Sequence, residues 1–236
     1  FIRLGKHSMV WGQGRLFEAY TNIMSDAGGY FSLRASLPTW LDGVSAVALI
    51  NHSNVTSYQQ VTYAGKADLV VAGTLVSAGA RWQLDEGLNA LVSLKKVVWH
   101  VDLLADLVYH YDASGSYAKV LAGFFREWDD VKLYGEYWYN GSSTVAMDQT
   151  VGLAFGYNNL GDSAVDLGLQ WLHTFVDGSG SVTAGITWAP WKYITATLAV
   201  PVAYGADGSR YVTTSNSDPA RRRLALVFGL EMDVSF

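Results

Sequence analysis

The sequence predicts an all-β fold, an up-and-down antiparallel β-barrel, and two observations lead to this prediction. Apolar and polar residues alternate with a period of two in successive segments, as in strands that have one apolar face. The 236 residues include 24 glycines, 14 tyrosines and 9 tryptophans but only 4 prolines, a composition typical of many strands joined by tight turns and edged by aromatic residues. We expect about twelve strands, with fourteen as the alternative, in a single domain covering residues 1–236.

The N-terminal half begins with alternating segments at 1–11, 30–37 and 44–50. Residues 66–96 are less regular, because 74–84 alternates well while Ala67, Leu69 and Val71 run in the opposite phase. A bulge, a turn or a short inward-folded segment would explain the change of phase. The region must supply an odd number of strands if both termini lie on one side. We expect one, since three spanning strands of ~9 to 11 residues barely fit there.

The C-terminal half alternates more clearly. Its predicted strands lie at 97–111, 117–127, 131–139, 151–157, 165–171, 181–189, 193–204 and 224–236. In the last one, residues 224–236, every even position is a sizeable apolar residue and the odd positions from Gly229 onward are small or acidic. The two sets therefore lie on opposite faces of one strand.

This terminal strand, which ends on an aromatic residue, resembles the C-terminal insertion signal of bacterial outer-membrane β-barrels. The residues that carry the resemblance are Phe228, Leu230, Met232, Val234 and Phe236. The resemblance implies a transmembrane barrel in the bacterial outer membrane that is recognised by the barrel-assembly machinery. Residues 3–14 are in addition similar to the strand and Trp-Gly loop of some porin-like families, in which further strands precede this one. No secretory signal peptide is recognisable at Phe1, so we expect a mature or trimmed form.

Composition narrows the function classes. Charged residues make up 16% of the chain, against about 25% in an average soluble domain, which indicates a large surface that does not face water. The longest uncharged run, 43–65, is too polar for a membrane helix. The absence of cysteine excludes disulfides and thiolate metal sites, and the net charge of −5 weighs against nucleic acid.

The connections also alternate between long and short. Long ones at 12–29, 51–65 and 205–223 are expected to shape an outer mouth, whereas short turns near Pro190, Asn158 and Trp128 are expected on the periplasmic side. Tryptophan and tyrosine mark both ends of the apolar face, as in the aromatic belts of membrane barrels. The predicted belts are Tyr157, Trp188, Trp191 and Tyr193 at one end and Tyr137, Tyr139, Trp171 and Tyr204 at the other.

If the apolar face contacts lipid, the opposite face is predicted to line the lumen. Acidic residues are in excess on that face, which favours cations. The ionisable lumen residues are Arg34, Arg81, Asp102, Asp106, His110, Lys132, Glu136, Asp166, Glu231 and Asp233. An alternative is that these charges pair across the interior and fill it. Several apolar residues share this face, and they indicate a narrow or plugged lumen, a few fillers beneath a constriction, or a conduit for hydrophobic solutes: Leu104, Val108, Tyr134, Trp138, Leu172 and Val227.

Two polar clusters allow further functions. Asp102, Asp106, His110 and Asp112 lie at even positions of one strand, where carboxylate and imidazole are suited to general base chemistry. No serine has suitable spacing and no hydrolase motif is present, so we expect no enzyme, cofactor or metal. Arg221, Arg222 and Arg223 are candidate ligands for lipopolysaccharide phosphates, or else a solvated basic run.

The function we expect is an outer-membrane channel for small solutes. The alternatives are a transporter of hydrophobic compounds through a partly apolar lumen, a plugged structural or adhesin barrel, and an envelope enzyme. Expected partners are outer-membrane lipid and lipopolysaccharide, the barrel-assembly machinery and a small-molecule solute, with no nucleic acid. The sequence does not determine the solute or the oligomeric state.

Overall fold

The computed structural model describes residues 2–6, 9–24, 31–37, 43–50, 57, 61–84, 86–142, 148–191, 194–212 and 224–232. Within these ranges the chain forms fourteen strands, one short α-helix, α1 (Glu18–Thr21), and one turn of 3₁₀ helix (Leu160–Asp162). The strands are β1 (Ile2–Lys6), β2 (Phe31–Leu37), β3 (Gly43–Ile50), β4 (Thr62–Val71), β5 (Thr74–Gln83), β6 (Gly87–Val98), β7 (Val101–Asp112), β8 (Gly115–Trp128), β9 (Val131–Asn140), β10 (Asp148–Tyr157), β11 (Val165–Thr174), β12 (Gly180–Trp191), β13 (Ile194–Tyr204) and β14 (Val227–Met232).

The strands form one sheet in which their order follows the chain from β1 to β14. Each strand is hydrogen-bonded to its neighbours in sequence, so the sheet is up-and-down and antiparallel, as the alternation predicts. The chain divides into two compact units. The first comprises Phe1–Phe124 with Trp138–Met147 and the second Phe125–Tyr137 with Asp148–Phe236. A single domain stays a prediction.

The expected count of twelve strands is wrong, and the alternative of fourteen is confirmed. Residues 66–96 contain all of β5 and most of β4 and β6. β4 begins earlier, at Thr62, and β6 continues to Val98. The change of phase is a hairpin turn, across which Leu69 pairs with Val76 on the same face. Three strands fit because this turn takes only two residues.

That turn, Ala72–Gly73, has positive φ at both positions, 49° and 72°. Trp99 and His100, with φ of 49° and 63°, form the equivalent turn between β6 and β7. Two left-handed residues give the backbone twist that matches the twist of a hairpin's strands. The expectation of a turn at Pro190 is wrong, because Pro190 lies within β12. The strand continues to Trp191, with a register irregularity after Trp188.

Burial alternates along the strands, and many large apolar side chains lie on the exposed face. In β7, Leu103, Leu107 and Tyr109 are exposed, whereas Asp106 on the opposite face is buried. In the first unit we call the face with Ser77, Arg81, Ser93 and Asp106 the inner face and the opposite one the outer face. The second unit shows the same alternation in β12, where Val182, Ile186 and Trp188 are exposed and the intervening residues half-buried. β1 and β14, at the ends of the sheet order, are mostly exposed on both faces.

The core of the first unit is formed largely by residues from outside the strands. Residues 9–24 connect toward β2 and supply four buried side chains to it, and β3, β6 and β7 supply the others from the inner face. The cluster comprises Met9, Trp11, Ile23, Met24, Val47, Leu91 and Val108. Among the described residues, no helix is long and apolar enough to cross a membrane.

Candidate functional site

The candidate site lies where residues 9–24, which we call the interior segment, pack on the inner face. The segment is closed on itself by Asn22. The Asn22 Oδ1 accepts hydrogen bonds from the backbone N–H groups of Trp11 (2.9 Å) and Met24 (3.0 Å), and its Nδ2 donates to the Met9 carbonyl (3.4 Å). The two ends are thereby held together, as in a compact Ω-loop.

Asp106 on β7 fixes the segment to the sheet. Its Oδ2 accepts hydrogen bonds from the Gln13 N–H (2.7 Å), the Gly14 N–H (3.3 Å) and the Thr21 hydroxyl (3.2 Å). Asp106 is 1% exposed, and its Oδ1 has no hydrogen-bond partner in the described part of the chain. One carboxylate oxygen therefore holds three donors, all of which belong to the interior segment.

Two glycines permit this close approach. A Cβ at Gly12 would stand 3.2 Å from Asp106 Oδ2, and a Cβ at Gly14 would stand 2.8 Å from the Leu121 Cδ1 of β8. The Trp11 ring lies over a third glycine, Gly79 of β5, where a Cβ would stand 3.3 Å from it. Glycine at these positions leaves room for the close contacts between the segment and the inner face.

Charged and aromatic side chains add further contacts. The Arg81 guanidinium donates to the Ile23 carbonyl (3.2 Å) and pairs with Glu86. Asp102 pairs with Lys95 of β6 (2.8 Å) and with Arg15 of the interior segment (3.7 Å). The Phe17 and Trp138 rings lie 6.3 Å apart. The segment is thus attached to the inner face at several independent points.

The position of the interior segment differs from the sequence-based expectation. The connection at 12–29 was expected to shape an outer mouth, but its described part, 12–24, is largely buried against the strands. The reason is chemical, since its backbone N–H groups are hydrogen-bonded to a buried carboxylate and its apolar side chains pack against Val47, Leu91 and Val108 of the inner face. The connection at 51–65 is shorter than expected because β4 begins at Thr62.

The other predicted lumen residues of the first unit have local partners. His110 is bonded through both ring nitrogens, to Asn89 Oδ1 (2.9 Å) and Asp112 Oδ2 (2.9 Å), and its ring lies 4.6 Å from that of Tyr117. The Arg34 Nε–H donates to the Ser36 hydroxyl (3.2 Å). The column Asp102, Asp106 and His110 is therefore divided, and only the first two residues contact the interior segment.

In the second unit, two of the predicted lumen residues have local partners. Lys132 pairs with Glu127 (3.4 Å), and the Asp166 carboxylate accepts a hydrogen bond from the Asn159 N–H (2.9 Å) in the turn between β10 and β11. Glu136 is buried and Glu231 is exposed.

The terminal residues and the basic run are only partly described. Of the residues resembling an insertion signal, Phe228 and Leu230 are exposed on β14, and Met232 ends this strand. The other predicted residues lie outside the described residues: Arg221, Arg222, Arg223, Asp233, Val234 and Phe236.

A polar cluster that sequence reasoning missed lies within the second unit. It joins the connection after β13 to β10 and β11. Arg210 pairs with the buried Asp148, whose Oδ1 also accepts from the Thr150 and Thr174 hydroxyls (both 3.1 Å). Burial raises the pKa of Asp177, but hydrogen bonds from the Arg210 N–H (2.8 Å) and from Ser179 outweigh this effect and hold the pKa below its usual range. Alternation gave no signal for this cluster, because its members lie in connections and at strand ends.

The aromatic residues of the predicted belts lie at the ends of strands. Trp188 and Trp191 at the end of β12 are exposed, with ring centroids 6.4 Å apart. Elsewhere in the second unit the Trp171 Nε1–H donates to the Tyr204 hydroxyl (2.8 Å). Sequence reasoning missed Trp99, which is 89% exposed at the turn between β6 and β7. Tyr193 lies outside the described residues.

No group of histidine, cysteine or acidic residues within the described ranges is arranged to hold a metal ion. Neither a protein-family model, nor a curated protein, nor a solved structure gives a significant match to this chain.

Proposed function

We propose that this protein is a bacterial outer-membrane β-barrel that acts as a channel for small solutes. The observation that carries the proposal is the wide exposed apolar face, with leucine, valine and tryptophan exposed on one side of the strands, while serine, threonine, arginine and aspartate are buried among apolar residues on the other side. An exposed apolar face of this extent is unfavourable in water and favourable in lipid. The resemblance of the last strand to an insertion signal supports a location in the bacterial outer membrane.

The turns and the aromatic residues also support a membrane location. Two-residue turns join β4 to β5, β6 to β7 and β8 to β9, whereas 24 and 22 residues separate β1 from β2 and β13 from β14, although the end with these long connections also has the two-residue turn between β7 and β8. In an up-and-down sheet these two sets lie at opposite ends of the strands, as in outer-membrane barrels with short periplasmic turns and long outer loops. The exposed tryptophans at strand ends suit a lipid interface.

The packing of the interior segment favours a narrow polar passage over a conduit for hydrophobic compounds. The apolar residues Leu104, Val108 and Trp138 are buried. Val108 packs in the cluster with Met9, Trp11 and Met24, and Trp138 lies near Phe17. Val108 and Trp138 thus serve as a packing surface for the segment, which weakens the support for a transporter of hydrophobic compounds.

The polar residues support transport over catalysis. Both ring nitrogens of His110 are engaged by Asn89 and Asp112, so neither is available as a general base for a serine. Mutating Asp106 and His110 together is expected to alter only conductance. The proposed partners are outer-membrane lipid and lipopolysaccharide, the barrel-assembly machinery and a small solute.

Planar-bilayer recording of the purified, refolded protein tests this function. Folding is checked first by the faster migration of the unheated protein on SDS gels. We expect single-channel currents and, because acidic residues are in excess, a reversal potential that favours cations in a KCl gradient. A folded protein that gives no current would remove the channel and leave a plugged structural barrel.

A further inference from the structure

We propose that the interior segment is the gate of this channel and that Asp106 is the latch that holds it closed. The segment undocks from the inner face as one body and leaves the passage open. This inference rests on the proposed function and concerns its regulation. It follows from three features of residues 9–24 and the strands beneath them.

The first feature is that the segment is closed on itself. Asn22 joins the Trp11 N–H, the Met24 N–H and the Met9 carbonyl, and the Asn22 N–H donates to the Glu18 carbonyl across α1 (2.8 Å). These bonds do not involve the sheet, so they persist when the segment leaves it. A loop whose ends are tied moves without unfolding.

The second feature is that three hydrogen bonds of the attachment converge on one atom. All hydrogen bonds that Asp106 accepts within the described chain come from the segment to Oδ2. Hydrogen bonds to a charged acceptor are roughly twice as strong as neutral ones, so changing this single carboxylate affects all three together. Glycine at 12 and 14 lets the backbone reach the carboxylate, which makes the docking specific.

The third feature is that docking leaves polar atoms unsatisfied. Asp106 Oδ1 and Ser93 Oγ are buried without hydrogen-bond partners among the described residues, and the two residues face each other across the pair β6 and β7. Water would reach both atoms after undocking. This cost of the docked state offsets its hydrogen bonds and brings the two states closer in free energy.

Asp106→Asn tests the latch in single-channel recordings. We expect the ratio of open to closed time to rise about ten-fold, because three hydrogen bonds lose their charged acceptor. Asp68→Asn is the matched control, since Asp68 also lies on the inner face but pairs with Lys66 (2.9 Å). An unchanged ratio in Asp106→Asn, or an equal rise in the control, would overturn the latch.

A reversible lock tests the movement. The chain has no cysteine, so Gly14→Cys with Leu121→Cys places a unique pair where the segment meets β8, and replacing Leu121 removes the Cδ1 atom that a Cβ at residue 14 would contact. A disulfide, or a short thiol-reactive bridge, is expected to abolish openings, and reduction is expected to restore them. Openings that continue in the bridged protein would show that conduction does not require the segment to move.

Thiol labelling tests the gate independently of any current. Ser93→Cys introduces one buried thiol beside Asp106, and a water-soluble maleimide reaches it only when the segment is undocked. We expect labelling to be about ten-fold faster when Asp106→Asn is added, and unchanged when Asp68→Asn is added. Equal rates in all three proteins would overturn the gate. Faster labelling without conductance would contradict the proposed channel, and the gate with it, and would support only the release of the segment from the inner face by loss of the Asp106 carboxylate.

Discussion

Gly180, the first residue of β12, illustrates how single residues decide packing in this sheet. An added Cβ would stand 2.3 Å from the Leu172 carbonyl oxygen of β11 and 2.3 Å from the Tyr204 hydroxyl of β13. The carbonyl belongs to a paired strand and has little freedom to move. At Gly185 in the same strand, the nearest atom would be the Leu198 carbonyl oxygen at 3.6 Å, an ordinary contact.

We therefore expect Gly180→Ala to lower the free energy of unfolding by roughly 1–3 kcal/mol, the usual cost of overpacking. Gly185→Ala is the control and is expected to have little effect. Both are measured by urea unfolding of the refolded protein in lipid vesicles. Equal midpoints for the two variants would contradict the packing at Gly180.

At the scale of elements, the hairpin of β4 and β5 depends on two left-handed residues. Ala72 has φ of 49°, a conformation that costs an L-residue about 1–2 kcal/mol. Gly73 adopts φ of 72° without this cost, and nothing lies within 4 Å of the position of its missing Cβ. Backbone conformation alone therefore determines the effect of substitutions in this turn.

Asn-Gly is the preferred pair for such a turn. Ala72→Asn is thus expected to raise the free energy of unfolding by about 0.5–1 kcal/mol, and Gly73→Ala to lower it by about 1 kcal/mol. Equilibrium unfolding of both variants measures these changes. If both variants shift stability in the same direction, the turn does not have the conformation described.

At the scale of the whole molecule, the exposed apolar face is the property that separates a membrane protein from a soluble one. Leu107 lies in the middle of β7 and Tyr111 near its end, both exposed on the outer face. In water, a surface substitution changes stability by no more than about 0.5 kcal/mol. In a bilayer, the cost of a charge depends on its depth.

Leu107→Arg is therefore expected to lower the free energy of unfolding in vesicles by about 2–4 kcal/mol, and Tyr111→Arg by at most about 1 kcal/mol. Denaturant titration followed by tryptophan fluorescence measures both. Small and equal effects would contradict a lipid-facing outer face.

The sequence by itself determined the fold class, the face to which most strand residues belong and the inner position of Asp106. These properties follow from side-chain alternation, which is local and does not depend on distant partners. The same reasoning left the strand count open at 66–96, because a two-residue turn and a bulge produce the same change of phase.

Only the tertiary structure decided that the turn is a hairpin and that the interior segment packs on the inner face. Gln13 and Asp106 are 93 residues apart in sequence. Side-chain alternation does not predict which of the many carboxylates a glycine-containing loop will contact. The pairing of Arg210 with Asp148 is equally non-local, at 62 residues. Alternation therefore predicts which face a residue occupies, and the folded chain decides which residues meet there.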